Sequence, residues 1–268
     1  MVSFEDFTYP IPLKIQVVPY SVLSGQVNMS LDHFLAMKCD ENSDPIFRFY
    51  GWKPYSISLG KHQKEDIINK ELLSKSGYDL VQRPTGGRAI FHANELTYSV
   101  IFPKHRILHK QLYEFIHLVI TRSLNKLGYE VSMDSGTSVL PIIKQKAEDF
   151  PCFTRSAKTE IQFEGKKLVG SAQRLYKKSI LQHGSILIGK EHENLSDFLK
   201  ETQEQREIIR NEIIKKTVCL NSIKKISITP RKIMRAVINQ LELIKDISVY
   251  FKSINDILND EYFASELI

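Results

Sequence analysis

The stretch from Lys158 to Ile188 constrains this chain more than any other. Lys158 to Phe163 and Lys167 to Ala172 read as strands on either side of Glu164-Gly165, and Ile180 to Ile188 follows the polar turn Tyr176-Lys177-Lys178-Ser179. A glycine between two strand-like runs marks a tight hairpin, because it takes positive φ without steric cost. A third apolar run after a polar break adds a third strand. The middle of the chain is therefore mostly sheet.

The flanks carry both helix and strand signals. Leu13 to Tyr20 alternates as a strand, and Val27, Leu31, Phe34 and Leu35 then fall on one helical face. Phe47 to Tyr50 and Tyr55 to Leu59 predict two short strands with Pro54 at the turn between them. Ile67, Ile68, Leu72 and Leu73 predict a short helix that Gly77 can end. Leu80 to Gln82 and Thr97 to Phe102 predict strands around a glycine-containing loop. A helix follows, with Leu112, Phe115, Ile116, Val119, Leu124 and Leu127, and Gly128 is its stop. Beyond about residue 195 the sequence turns to charged helix. Glu201 to Lys216 is one such segment, and Thr229-Pro230 caps another that carries Ile233, Val237 and Leu241. A short strand at Ile247 to Phe251 and a last helix complete the pattern. The expected class is α+β, a mixed and mostly antiparallel sheet packed by helices, with a helical C-terminal portion.

Composition bounds the function classes. The 268 residues, 42% hydrophobic, can build a sizeable core, and no apolar run approaches the roughly 20 residues that span a bilayer. The opening MVSFEDFTYPIPLKI has neither the basic start nor the apolar stretch of a signal peptide, so a cytoplasmic protein with no membrane partner is expected. Cys39, Cys152 and Cys219 are widely separated, which suggests neither a disulfide framework nor a metal site. A net charge of +6 favours an acidic partner. The lysines are scattered without an aromatic-interleaved basic motif, which makes nucleic acid the weakest choice.

Two segments suggest chemistry. In Arg83-Pro84-Thr85-Gly86-Gly87-Arg88-Ala89-Ile90-Phe91-His92, paired glycines allow backbone amides to approach a carboxyl, thioester or phosphate group, and Arg83 and Arg88 add charge. A plain inter-strand turn with solvated arginines fits the same string. In Lys167-Leu168-Val169-Gly170-Ser171-Ala172-Gln173, alternation puts Lys167, Val169 and Ser171 on one face, opposite Leu168 and Gly170, and Gly170 permits close approach of another backbone. Solvated hairpin lysines are the plain alternative there.

Together these segments resemble the lipoate-protein ligase, octanoyltransferase and biotin-protein ligase superfamily, whose lipoate branch carries R-R-x-T/S-G-G-G/R-A-V-x-H and later K-x-V-G-S-A-Q. Supporting matches are N-M-S-L-D from Asn28, R-F-Y-G-W-K-P-Y-S-I-S-L-G from Arg48 and L-Q-H-G-S from Leu181, so the likeness covers roughly residues 13 to 220. It implies a catalytic domain over residues 1–220 and a helical extension over 221–268 packed on the same domain.

Within that superfamily the sequence is most similar to the cysteine-dependent octanoyltransferases. Pro151-Cys152-Phe153 lies where that branch carries its nucleophile, T-G-G-R is followed by Glu95-Leu96-Thr97-Tyr98-Ser99, and the extra C-terminal domain of many ligases has no counterpart. The resemblance implies Cys152 and Lys167 as catalytic residues. It implies Arg83, Thr85, Gly86, Gly87, Arg88, His92, Gly170, Ser171, Ala172, His183 and Gly184 around the substrate. Partners would be octanoyl-acyl carrier protein and a lipoyl-domain or glycine-cleavage H-type acceptor, with no cofactor.

A thiolate suits this role, since thioester exchange is nearly balanced and a neighbouring ammonium raises the thiolate fraction of a thiol that ordinarily titrates near ~8.5. Two alternatives stand beside it. One is an ATP- and magnesium-using ligase forming lipoyl-AMP; the other is a non-catalytic binding protein of the same fold. Gln82, where both branches commonly have the first arginine, leaves one guanidinium fewer for an adenylate.

Overall fold

The computed structural model describes residues 13–133, 160–260 and 263. In chain order the elements are β1 (Leu13–Leu23), α1 (Gly25–Lys38), β2 (Ile46–Trp52), β3 (Ser56–Leu59), α2 (Lys70–Lys75), β4 (Asp79–Gln82), β5 (Ile90–His92), β6 (Glu95–Pro103) and α3 (His109–Lys126). They continue as β7 (Ser132–Met133), β8 (Ile161–Phe163), β9 (Lys166–Leu175), β10 (Ser179–Leu187), α4 (Gln203–Lys216), α5 (Leu220–Ile223), α6 (Pro230–Glu242), β11 (Ile247–Phe251) and α7 (Ile254–Leu258).

Among the described residues, eight strands form one sheet in the order β11-β1-β2-β6-β10-β9-β8-β7, and β4-β3-β5 form a second. β1 is parallel to both β11 and β2; from β2 onward every pair in the large sheet is antiparallel. The expected mixed, mostly antiparallel α+β class is observed. The central hairpin forms as its sequence predicts, with Glu164 and Gly165 both at positive φ between β8 and β9, the backbone that a two-residue turn of matching twist requires.

Alternation along β6 and β10 divides the layers. Leu96, Tyr98, Val100 and Phe102 of β6, with Ile180 and Ile186 of β10, enter the main core with Leu112, Phe115, Ile116 and Val119 of α3 and Ile233, Val237 and Leu241 of α6. On the opposite face, Ile101 and Leu181 pack with Leu31, Phe34 and Leu35 of α1, and Phe263 joins them. A third core holds the small sheet, where Ile57, Leu59 and Phe91 meet Leu195, Phe198, Ile209 and Ile213. Caps set the helix starts: the Ser24 side chain accepts from Val27 N at α1, and Thr229 accepts from Lys232 N at α6, with Pro230 in the first turn. β11 pairs with β1, and α6 packs on α3, so residues beyond 221 complete the main sheet and core.

Three local features depart from the sequence reading. The helix expected from Ile67 is a 3-10 turn, Glu65–Ile67, followed by α2. Ile90 to His92, read as part of a loop, pairs with β3. β8 meets β9 through a bulge, since Ile161 faces Val169 whereas Gln162 faces Lys167. The extra residue is Leu168, and both Leu168 and Val169 enter the main core. A bulge interrupts strict two-residue alternation, so Lys167 is not tied to the face of Val169 and Ser171.

Candidate active site

A cavity opens between α1, the small sheet and the large sheet. Its walls come from Met29 of α1, Tyr50 and Trp52 of β2, Arg83 beyond β4, Ile90 and His92 of β5, Thr97 of β6, Gly170 to Ala172 of β9 and His183 to Ser185 of β10. The two candidate motifs therefore meet at one place although they are more than 80 residues apart, start to start, in the sequence. The close contact across β9 and β10 belongs to Gly184: a Cβ there would lie 2.6 Å from both Gly170 O and Ser171 Oγ. Glycine is thus required on β10 at the position opposite Ser171, one residue along from the Gly170 position the sequence pointed to, which faces Ser185.

The cavity's polar wall is built on two buried carboxylates. Asp32 Oδ1 accepts from Arg48 Nη1 at 2.8 Å and Ser99 Oγ at 2.7 Å, and its Oδ2 accepts from Tyr50 OH at 2.8 Å. His183 Nδ1 lies 3.3 Å from Oδ2, and its Nε2 is 2.6 Å from Thr85 Oγ1. Burial alone would raise the Asp32 carboxyl; the His183 hydrogen bond, the Arg48 charge and Ser99 outweigh it and hold the group below its ordinary value. Burial lowers His183, against the pull of Asp32. Asp32 is thus an ionised acceptor, His183 Nδ1 donates to it, and neutral Nε2 accepts the Thr85 hydroxyl proton.

The second array mirrors the first. His92 Nδ1 is 2.8 Å from Glu95 Oε1, and Nε2 is 2.7 Å from Ser58 Oγ. Burial would raise Glu95 too, but the His92 charge and hydrogen bond, with Thr97 and Ser185, bring it below its ordinary value. Trp52 stacks on His92 at 4.0 Å between ring centroids and donates Nε1–H to Thr97 Oγ1 at 2.7 Å. Both nitrogens of both histidines are engaged inside the protein.

Arg83 serves the glycine loop itself. Its guanidinium donates to Gly86 O, Arg88 O, Ser58 O and Ser58 Oγ at 2.7 to 3.2 Å. Gly87 takes φ +100°, and a Cβ on Gly60 would lie 1.9 Å from Gly87 O, so the loop is seated directly on the end of β3. Gly86 has open space where a Cβ would project. Gln82 is exposed and bonds to the carbonyls of Lys61 and Gln63. Arg174 of β9 donates to Pro84 O at 3.1 Å, which joins the two motifs directly.

Lys167 is 8% exposed, and its Nζ donates to Glu160 Oε1 at 2.6 Å. Ser171 Oγ lies 2.6 Å from Tyr98 OH and 2.8 Å from His117 Nε2 of α3, so its hydroxyl serves the core side of the sheet. Cys152 lies outside the described residues. Cys39 is buried, and burial pushes its thiol up to about 11; Cys219 is buried with Sγ 3.0 Å from Ser222 Oγ. Among the described residues, no cluster of three His, Cys, Asp or Glu side chains could hold a metal ion, and no helix is long and apolar enough to cross a membrane.

The sequence reading assigned roles to Arg83, Thr85 and both histidines, whereas Asp32, Ser58 and Glu95, which bond them, and Arg48, which bonds Asp32, entered only as letters of motif matches. Their signal was present. Arg48 interrupts the aromatic strand Phe47 to Trp52, Asp32 follows Leu31 on the apolar face of α1, and Glu95 begins the largely apolar β6; a charge in such a setting needs a buried partner.

A mixed sheet with these helical layers is the fold of lipoate-protein ligases. A solved structure of the bipartite lipoate protein ligase from Thermoplasma acidophilum, described with its E2 lipoyl domain, superposes with a TM-score of 0.74 at 18% identity over 95% of this chain and 90% of that one. The model of the Lipoyl protein ligase A/B catalytic domain matches residues 24–242, and the chain belongs to that family. Curated relatives include octanoyltransferase LipM of Lysinibacillus sphaericus, 36% identical over 75% of each chain. That of Anoxybacillus flavithermus is 33% identical over 90% of this chain and 88% of its own.

Proposed function

We propose that this chain is an octanoyltransferase of lipoate biosynthesis, taking an octanoyl group from acyl carrier protein onto Cys152 and passing it to a lysine of a lipoyl-domain or H-type acceptor protein. The observation that carries this reading is the agreement with octanoyltransferases over three-quarters of the chain, and with that of Anoxybacillus flavithermus over nine-tenths. Two features of the site support it. The cavity presents Met29, Trp52 and Ile90 to an apolar tail beside the glycine loop. Of the three cysteines, Cys39 and Cys219 are both buried, and the Cys39 thiol is pushed away from the reactive range.

In the first step the Cys152 thiolate attacks the thioester carbonyl, the carrier's C–S bond breaks, and the carrier thiolate leaves and takes up a proton. In the second, the acceptor amine attacks the new thioester, the Cys152 C–S bond breaks, an amide forms and one amine proton is released. We assign Lys167 to stabilising the thiolate and handling these protons, with Glu160 holding its ammonium group. The sequence of steps draws on thioester energy and needs no nucleotide or metal. With soluble carrier and acceptor proteins as its partners, the proposed reaction is cytoplasmic.

Intact-mass spectrometry tests the proposal directly. Wild-type protein mixed with octanoyl-acyl carrier protein, without ATP, is expected to gain an adduct of about 126 Da that hydroxylamine removes and Cys152→Ala abolishes. Absence of the adduct on folded protein, with acyl-AMP formed from octanoate and ATP, would replace this reading with the ligase.

A further inference from the structure

One end of the β9–β10 hairpin carries a basic surface that the chemistry above does not use. Lys177 and Lys178 at the turn are exposed, and the Lys178 carbonyl accepts from Lys104 N at 2.8 Å, which brings in the segment Lys104, His105 and Arg106. Gln173 of β9 donates to His109 O at 2.8 Å, adding the start of α3 with exposed Lys110. Within this basic ground lie Leu108, 68% exposed, and Leu175, 48% exposed. The Asp40–Glu41 turn marks its border, where Arg106 donates to Glu41 O. Arg174, between Leu175 and the cavity residues, ties the patch to the glycine loop through Pro84.

We propose that this surface docks the acidic protein that carries the acyl thioester; the proposal rests on the octanoyltransferase reading above. Charge selects an acidic partner, and two exposed leucines supply the apolar centre that a specific contact needs. Distance selects the donor over the acceptor. Leu175 and Lys178 are three and five residues along their strands from Ala172 and His183, about 10–17 Å at strand rise. An acceptor lysine side chain reaches only about 6 Å by extended-chain geometry, so an acceptor must seat its own body over the cavity mouth, whereas a carrier need touch only this patch. A phosphopantetheine arm of fourteen bonds, at the same extension per bond, spans roughly 17 Å. The patch fits a partner whose cargo rides on a long arm.

The test compares Cys152 acylation rates in wild type, Lys177→Glu/Lys178→Glu and Leu175→Ser, with two donors: octanoyl-acyl carrier protein and the small thioester octanoyl-N-acetylcysteamine. A matched pair on α2, Lys70→Glu/Lys75→Glu, controls for net charge. Charge reversal at the hairpin is expected to slow the carrier-protein reaction about tenfold or more at low salt, with the deficit shrinking as salt rises. Leu175→Ser should slow it at every salt concentration, and the small donor should react alike in all variants. Equal rates from the carrier protein in wild type and both hairpin variants would overturn the docking site, as would an equal loss with the small donor or a matching loss in the α2 pair. If wild type is acylated by neither donor, the octanoyltransferase reading itself fails.

Discussion

Replacing Gly60 by alanine puts the seat of the glycine loop to a quantitative test. The added Cβ would stand 1.9 Å from the carbonyl oxygen of Gly87 and 2.7 Å from its carbonyl carbon, both backbone atoms. Gly87 would have to recede by about an ångström to reach even 3.0 Å, the limit below which such contacts are not found. A shift of that size breaks at least one of the Arg83 bonds to Gly86 O and Arg88 O. Overpacking of this kind costs about 1–3 kcal/mol, and a hydrogen bond to a charged group contributes about 1.5–3 kcal/mol. The expected loss of about 3–5 kcal/mol lowers Tm by roughly 6–20 °C in a chain of this size. Acyl transfer to the acceptor should fall by up to about a hundredfold, because under the proposed mechanism the loop positions the reacting group. Gly86→Ala is the counterpart: its Cβ meets nothing within 4 Å, so Tm should hold, while under the proposed role of the loop in acyl binding the added methyl should slow acylation. Thermal melts and stopped intact-mass time courses read both quantities. An unchanged Tm and rate in Gly60→Ala would refute the claim that the loop rests on this contact.

Three further outcomes are expected. Lys167→Met leaves Glu160 buried beside an apolar chain and should destabilise the protein by about 3–5 kcal/mol in urea melts; Lys167→Met/Glu160→Gln should regain most of that stability but not acyl transfer, and recovery of transfer would remove Lys167 from the chemistry. Stability should decline in two stages with acid. His183, depressed by burial, costs stability as pH falls below its ordinary 6.5; Asp32 and Glu95, held below their ordinary 3.8 and 4.5, contribute stability above those values that is lost as pH falls through their lower folded pKa values. Tm against pH checks the sign, and His183→Gln should shrink the first stage, leaving the share of His192, which burial also lowers. Met29, the unbranched side chain among the apolar walls of the cavity, yields more readily than Trp52, which is fixed by Thr97 and His92. Met29→Ala should therefore shift the donor preference towards chains longer than eight carbons, read from adduct masses in a mixed-donor competition.

Much of the fold was written in local signals. The Glu164-Gly165 turn, the Thr229-Pro230 cap and the glycines that end α2 and α3 each act within a few residues, and each appears where its sequence implies. What escaped depends on distant partners. β5 is a strand because Ile90 to His92 meet β3, which no local pattern announces. The Leu168 bulge, set by the fit of β8 against β9, detached Lys167 from the face shared by Val169 and Ser171. At the site, the two motifs named the histidines but not their work. Only the folded chain reveals that Asp32 and Glu95 occupy one nitrogen of each ring and that hydroxyls of Thr85 and Ser58 occupy the other.

The pairing of Leu13 with Ile247 also has a consequence in time. A ribosome adding about 5–20 residues per second takes on the order of 12–47 s to travel from one strand to the other. Through that interval β1 can pair with β2 on one side, but its other edge has no strand to receive it. The nascent chain thus passes a waiting period with a sheet margin exposed to any neighbouring strand, and β11, the latest-made of the described strands, is the one that closes it.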